Sequence, residues 1–203
     1  MANWIRKKPW IVGLLLIGAV FMYVGGTYNH LVRLDQGVQA QWAQVETVYQ
    51  RRADLIPNLV RTVSGAAQFE RGTLEAVTAA RAKVTALPTQ LATQVPATGA
   101  QMQQFQQAQD GLSTALTRFF AVAESYPQLT ATANYRDLQS QLEGTENRIA
   151  VERMRFNQAA QGFNASRQSF PTNLIAGMFG SRFDIKTYFQ SQPGAAQVPE
   201  VKL

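Results

Sequence analysis

The sequence predicts an all-α protein in which an N-terminal transmembrane helix continues into an elongated antiparallel four-helix bundle. Apolar residues recur in three- and four-residue steps along nearly the whole chain, and alternating β-branched runs are missing. Residues 9–29 carry no charge, and proline and glycine separate the helical runs that follow. We therefore divide the chain into a basic N-terminus (1–8), a transmembrane helix (9–29), a helical ectodomain (30–170), and a membrane-proximal apolar patch with a flexible tail (171–203).

The uncharged segment has the length and the flanks of a membrane anchor. A helix needs roughly 20 apolar residues to cross the hydrocarbon core, and Trp10 and Tyr23 lie near the ends, where aromatic rings favour the interface. A cleaved signal peptide is the alternative, but its apolar region is shorter and ends in a small-residue cleavage site. The basic residues 6–8 predict a cytoplasmic N-terminus in a bacterial inner membrane, with the bundle on the periplasmic or extracellular side.

Four helical runs account for the ectodomain. The first continues from the span to about residue 67 and contains Pro57, which is expected to bend it. A second, shorter run covers residues 74–84, and a third runs from about 101 to 125, where Tyr126-Pro127 ends it. The fourth covers about 130–169. Residues 88–99, with two prolines, are predicted to form a loop, and the chain from Gln190 onwards is predicted to be disordered.

Helix length predicts how the bundle is arranged. At 1.5 Å per residue the first and fourth helices are each about 55–60 Å long outside the membrane, whereas the other two are shorter. The short helices are therefore expected to cover only the membrane-distal half. If the long helices are antiparallel and start level, residues whose numbers sum to about 198 face each other. This register places Arg52 opposite Glu146 and Trp42 opposite Phe156.

Charged residues on the two long helices suggest a structural ion-pair network. A paired-carboxylate site for acid–base chemistry is the alternative, but neighbouring arginines would lower the carboxyl pKa values and weaken them as acids. An ion-pair network that sets helix register fits better. Its predicted members are Arg51, Arg52, Asp54, Glu143, Glu146, Asn147 and Arg153.

An apolar stripe on the long helices predicts self-assembly. In the membrane-proximal half, one chain is expected to supply too few neighbouring side chains to cover this stripe. Large exposed apolar stripes mark partner surfaces. We expect a homo-oligomer that forms through Leu34, Val38, Trp42, Phe156 and Phe163. The alternative is that residues 88–99 fold down and cover the stripe. A second apolar segment, with Leu174, Ile175, Met178 and Phe179, is expected to lie near membrane lipid because the fourth helix ends level with residue 30.

Composition excludes several classes of active site. The chain has no cysteine and one histidine, His30, so thiolate sites and multi-histidine metal sites are excluded. Without a Glu-x-x-His motif, the carboxylates do not fit the di-iron pattern of helical bundles. The net charge of +6 is partly concentrated at residues 6–8, so nucleic acid is not an expected partner. We expect no cofactor and no enzymatic activity.

Several segments resemble the LemA family of bacterial membrane-anchored helical proteins. The most specific is residues 50–60, QRRADLIPNLV, and Tyr28-Asn29 follows the span as in the family. Further segments that fit are 74–77, 80–81, 124–127, 146–147 with Arg153, and three pairs that follow, namely Phe156-Asn157, Phe163-Asn164 and Phe170-Pro171. The first two pairs are usually Tyr-Asn in the family. Phenylalanine therefore stands here in place of tyrosine, and the tyrosine hydroxyl groups are absent.

The resemblance implies a single span with a helical bundle and does not imply a reaction. We therefore expect a scaffold or interaction module that self-assembles through its long helices. The alternative is a membrane-anchored sensor or adaptor that relays a signal to another membrane protein.

Overall fold

The computed structural model describes residues 9–65 and 69–190, and these ranges contain helices and no strand. The prediction of an all-α fold with an N-terminal membrane-helix candidate is confirmed. A single-turn 3₁₀ helix, Gly180–Phe183, follows the last α-helix. In chain order the α-helices are α1 Pro9–Ser64, α2 Arg71–Thr85, α3 Thr89–Thr93, α4 Gly99–Ala123, α5 Pro127–Thr130, α6 Ala133–Gln168 and α7 Thr172–Met178.

Helix α1 joins the apolar span to the bundle without a break. Its 56 residues are about 84 Å long at 1.5 Å per residue. The side chains of its first turns are exposed, with Phe21 at 73% and Met22 at 81%, whereas Leu31 is fully buried. Within the described ranges, α1 is the helix long and apolar enough to cross a membrane. Pro57 lies inside α1, which nevertheless continues to Ser64.

Helix α6 packs antiparallel along α1, in the predicted register. The Arg52 guanidinium lies 2.6 Å from the Glu146 carboxylate, and the rings of Trp42 and Phe156 have centroids 5.3 Å apart. Both pairs have numbers that sum to 198, so length arithmetic and opposite charges were sufficient to align the two helices.

Helices α2 and α4 complete the membrane-distal half of the bundle. Thr98 begins α4 with a capping box, in which Thr98 and Gln101 satisfy each other's backbone N–H groups. Arg81 occupies an apolar-stripe position of α2 because its Nε–H donates to the carbonyl of Ala53 on α1, at 2.9 Å. The distal core consists of Leu55, Ile56, Leu59, Val63, Val77, Leu112, Leu116, Phe119, Ala123, Leu129, Tyr135, Leu138 and Leu142.

Residues 88–99 and helix α4 differ from the predictions. Residues 88–99 are not entirely a loop, because α3 occupies Thr89–Thr93 and buries Leu91. Helix α4 also reaches beyond the distal half, since its Phe105 packs against Trp42, with ring centroids 5.1 Å apart. The expected membrane-proximal half with only two helices is therefore wrong. Residues 1–8 lie outside the described residues. So does the tail predicted to be disordered from Gln190 onwards, except Gln190 itself, which is held by two hydrogen bonds to Gln106.

Candidate functional site

The side chain of Arg52 lies at the centre of a buried polar cluster between α1, α4 and α6. It is 1% exposed, and its Nη1 donates to Glu146 and to Ser113, both at 2.6 Å. Its Nη2 donates to the side-chain oxygen of Gln109 at 2.6 Å and to the backbone carbonyl of Gln109 at 3.1 Å. The cluster thus joins three helices around one charge, which is the arrangement expected of a group that sets helix register.

Four other residues of the predicted network lie outside this cluster. Arg51, Asp54, Glu143 and Asn147 are exposed. Asp54 accepts a hydrogen bond from Gln50, and Glu143 accepts one from Gln139, each from the preceding turn of its own helix. The two carboxylates therefore belong to the solvated helix faces, and the central pair is Arg52 with Glu146.

Arg153 belongs to a second polar cluster, nearer to the apolar N-terminal part of α1. Its Nε donates to the Tyr49 hydroxyl at 2.6 Å, and its Nη2 lies 3.2 Å from Asp110. Burial raises the pKa of Tyr49 above its ordinary value of 10, and the Arg153 cation partly opposes this shift. The pKa of Tyr135 is also raised, by burial and by the negative charges of Glu124 and Glu143. Both shifts move the tyrosine pKa values away from neutral pH, and the Tyr49 hydroxyl serves as an acceptor for Arg153.

These polar clusters provide structural hydrogen bonds. The Glu146 carboxylate is held in an ion pair by the Arg52 guanidinium, which is itself bonded to Ser113 and Gln109. In the described part of the chain, no group of three or more histidine, aspartate or glutamate side chains could hold a metal ion. His30, the single histidine, is exposed on α1.

The predicted assembly seam is buried within one chain. Val38, Trp42, Phe156 and Phe163 are each 0% exposed, and Leu34 is partly buried against the same core. The premise that this stripe lacks neighbours within the chain is therefore wrong. The alternative, cover by residues 88–99, is correct only in part, since Val95 packs on this core while the larger contribution comes from the segment after α7.

Residues 183–190, which we call the strap, provide most of this cover. The ring of Phe189 stacks on Trp42, with centroids 5.8 Å apart and planes 14° apart, and its centroid lies 5.4 Å from that of Phe156. Phe183 is 1% exposed and packs on Phe163. An extended segment without secondary structure can cover this core because its backbone N–H and C=O groups form hydrogen bonds with side chains of the bundle. Buried backbone groups need such hydrogen bonds.

Side-chain amides supply those partners. Asn157 donates to the carbonyl of Phe189 at 3.0 Å and accepts from its N–H at 2.9 Å. Asn164 makes the same two contacts with Lys186, both at 2.8 Å. Sequence reasoning missed this role, although Phe156-Asn157 and Phe163-Asn164 repeat after seven residues. The repeat puts both amides on one face of α6, next to the face that carries the core phenylalanines.

The membrane-proximal patch lies beside the end of the span. The rings of Tyr28, on α1, and Phe179 have centroids 4.7 Å apart, which puts α7 level with the residues that follow the span. Leu174 is 61% exposed and Met178 is 76% exposed, whereas Ile175 is buried against the bundle. Phe170, in the turn that precedes α7, is 81% exposed. The patch therefore presents several apolar side chains to the surroundings at this level.

Comparisons with known proteins place the chain in a family. The LemA family profile matches residues 41–203. Magnetosome protein MamQ 2 of Paramagnetospirillum magneticum is 26% identical over 201 residues, which cover 90% of this chain and 72% of that protein. MamQ of Magnetospirillum gryphiswaldense is 27% identical over 180 residues, 82% of this chain and 65% of that protein. Protein LemA of Metamycoplasma hominis is 24% identical over 169 residues, 80% of this chain and 69% of that protein. The matched profile covers most of the chain, which belongs to the LemA family.

Proposed function

We propose that the protein is a non-enzymatic, membrane-anchored scaffold that holds a helical body in a fixed orientation at the bilayer and presents it to other membrane proteins. The observation that carries this proposal is the continuity of α1. The same helix supplies the apolar span and the core residues Leu31, Val38 and Trp42, with no linker between them. A body joined in this way cannot turn independently of its anchor, and a fixed orientation is what a scaffold requires.

The patch on α7 supports the same proposal through a second contact with lipid. Leu174 and Met178 are spaced four residues apart on one exposed face of α7, and Phe170, in the turn before the helix, is also exposed. Because α7 lies level with Tyr28, lipid at the membrane interface is the apolar surface within its reach. Burial of apolar surface contributes about 25 cal/mol per Å², so this contact would tilt the body towards one preferred pose.

The solvated polar faces of α1 and α6 provide the surface for a partner. Arg51 and Asp54 on α1, with Asn147 on α6, are exposed. Such a polar and charged face suits recognition that is reversible and specific, since exposed charges affect association rate and specificity more than affinity. The basic residues 6–8 before the span support a periplasmic or extracellular location for this face.

The relatives also support a structural role. One group is named for the magnetosome and another carries the family name. A single helical body that occurs under both names is more easily explained as a module for positioning proteins than as one conserved reaction.

A sensor or adaptor is the second candidate, and the buried cluster around Arg52 favours it. A charge buried in a helix seam is a feature that can distinguish two helix registers. A cleft of about 160 Å³ lies beside the cluster and is lined in part by Glu46, Tyr49 and Gln109. That volume is below the roughly 300 Å³ at which small-molecule sites usually begin. A shallower cleft of about 480 Å³ adjoins Ser113 and Glu146 of the same cluster. A sensor role would therefore depend on a change of register or on a ligand in that shallower cleft.

The scaffold proposal is tested by uncoupling the anchor from the body in the native membrane. A flexible Gly-Ser linker inserted between Asn29 and His30, after the span of residues 9–29 and before the first fully buried core residue, Leu31, removes the rigid connection between the two. The chain is then extracted with its surrounding lipid in polymer nanodiscs and the particle mass is measured. The same linker added after Leu203 is the matched control.

We expect the unmodified chain and the control to be in a discrete complex heavier than one 22.4 kDa chain with its lipid. The internal linker should reduce that complex at least about tenfold, equivalent to roughly 1.4 kcal/mol of association free energy. A monomeric unmodified chain, or an equal complex for the chain with the internal linker, would contradict the proposal.

A further inference from the structure

The groove that holds the strap has the features of a binding site for an extended peptide. Recognition of extended peptides combines hydrogen bonds to the main chain, which give affinity, with pockets for particular side chains, which give specificity. The bundle supplies both kinds of contact to residues 183–190, which follow α7 and the single-turn 3₁₀ helix.

The main chain of the strap is recognised at four residues. Besides the paired contacts of Asn157 with Phe189 and of Asn164 with Lys186, the Gln106 amide donates to the carbonyl of Gln190 at 3.0 Å and accepts from its N–H at 3.3 Å. Arg167 donates to the carbonyl of Phe183 at 2.8 Å. These hydrogen bonds are made to backbone groups, so any segment with the same extended backbone conformation can form them.

Two side chains of the strap supply the specificity. The Lys186 ammonium lies 2.6 Å from the Asp35 carboxylate and 4.9 Å from the centroid of the Phe163 ring. Three residues further on, Phe189 fills an aromatic pocket that includes Trp42, and the Arg153 guanidinium lies 5.1 Å from the Phe189 ring centroid. The groove therefore selects an extended segment with a lysine and, three residues later, a phenylalanine.

We propose that this groove accepts the strap of a second copy in exchange for its own, so that neighbouring anchored chains assemble by strap exchange. The same contacts form whether the strap binds its own chain or a second copy. Exchange of identical elements therefore costs little free energy and is a common route to oligomers. Residues 177–182 are solvent-exposed, and on unwinding the end of α7 and the 3₁₀ helix they can span up to about 20 Å. The bilayer confines neighbouring copies to one plane. The proposal gives the scaffold a route to self-assembly that the buried seam does not offer.

Cysteine cross-linking in the full-length chain tests the exchange directly, because the sequence contains no cysteine. The Thr187 hydroxyl donates to the carbonyl of Pro96 at 3.3 Å, so positions 187 and 97 lie close to each other when the groove is filled. One chain carries Ala97→Cys with one tag, and a second carries Thr187→Cys with another. Both are expressed together in membranes and treated with a short thiol-specific cross-linker.

We expect dimers that carry both tags, and we expect Phe189→Ala in the Thr187→Cys chain to reduce them at least about fivefold by removing the aromatic anchor. Ser140→Cys, on the exposed distal face of α6, replaces Ala97→Cys in the proximity control and should give at least about tenfold less product. If Thr187→Cys fails to fold, Ile185→Cys, at a half-exposed strap position, replaces it.

Mixed-tag product no greater than that of the Ser140→Cys control would overturn strap exchange. So would cross-linking confined to single chains when both cysteines are placed in one chain. A chain without strap exchange could still bind a different protein, so failure here is distinguishable from failure of the scaffold proposal, which is measured by the mass of the native complex.

Discussion

Removal of the Arg52 side chain should destabilise the bundle by about 2–4 kcal/mol. The reason is that Gln109, which is 3% exposed, loses the donor to both its side-chain oxygen and its backbone carbonyl, and a buried unsatisfied acceptor costs about 1–3 kcal/mol. Glu146 also loses its partner. Its side chain is 42% exposed and can rehydrate, so its share is closer to the roughly 0–1 kcal/mol of surface pairs than to the 3–5 kcal/mol of fully buried ones.

The assay is thermal unfolding of the full-length chain in mild detergent, followed by circular dichroism. At about 2–4 °C per kcal/mol for a chain of this size, Arg52→Ala should lower Tm by about 5–15 °C. Arg51→Ala is the matched control, since the neighbouring arginine is exposed and should change stability by no more than about 0.5 kcal/mol.

A double variant isolates the interaction between the two charges. Arg52→Ala combined with Glu146→Gln should be less damaging than the sum of the single changes, with a coupling of about 0.5–3 kcal/mol for residues in contact. Strict additivity, or an Arg52→Ala effect no larger than that of Arg51→Ala, would refute the assignment of this pair as the buried connection between α1 and α6.

Three further predictions concern the core, the tyrosines and the topology. Trp42→Ala should cost about 3–5 kcal/mol in thermal unfolding because Trp42 is 0% exposed, whereas Met154→Ala, at a 53% exposed position, should change stability by no more than about 0.5 kcal/mol; equal effects would contradict the buried seam. In ultraviolet titration Tyr49 and Tyr135 should ionise above pH 10, and their contribution to stability should be lost as pH rises above 10, because the unfolded chain releases these protons first. Normal titration of both residues would contradict their burial. Alkaline phosphatase fused after Leu203 should be active, and inactivity with a functional cytoplasmic reporter would reverse the topology.

The helices and their register were predictable because they follow from local patterns. Apolar spacing identifies the helices. The lengths of the two long helices then predict their register, and the opposite charges of Arg52 and Glu146 agree with it. Arg51, Asp54, Glu143 and Asn147 could not be distinguished from Arg52 in this way, since neighbouring polar residues differ only in the direction that the helix gives each side chain.

The strap was not predictable from periodicity. Residues 184–190 have no helical or strand hydrogen bonds of their own, and their conformation depends on amides that lie far away in sequence, such as Asn157 and Gln106. In the sequence alone, Tyr188-Phe189 is therefore only an isolated apolar pair, with no periodic pattern around it. The expectation of an exposed seam around Trp42 followed directly from this omission, because Phe189 fills the place that a second copy was expected to occupy.

The central claim is that the helical body rests against the bilayer through α7 as well as through α1, and depth measurement at Leu174 tests it most directly. A spin label on Leu174→Cys in the full-length chain, reconstituted in lipid bilayers, is compared with one on Ser140→Cys, about 40 Å away along α6 at 1.5 Å per residue. Relaxation by lipid-soluble oxygen should exceed relaxation by an aqueous nickel complex at position 174, and the order should reverse at position 140. A fully aqueous signal at both positions would contradict the account.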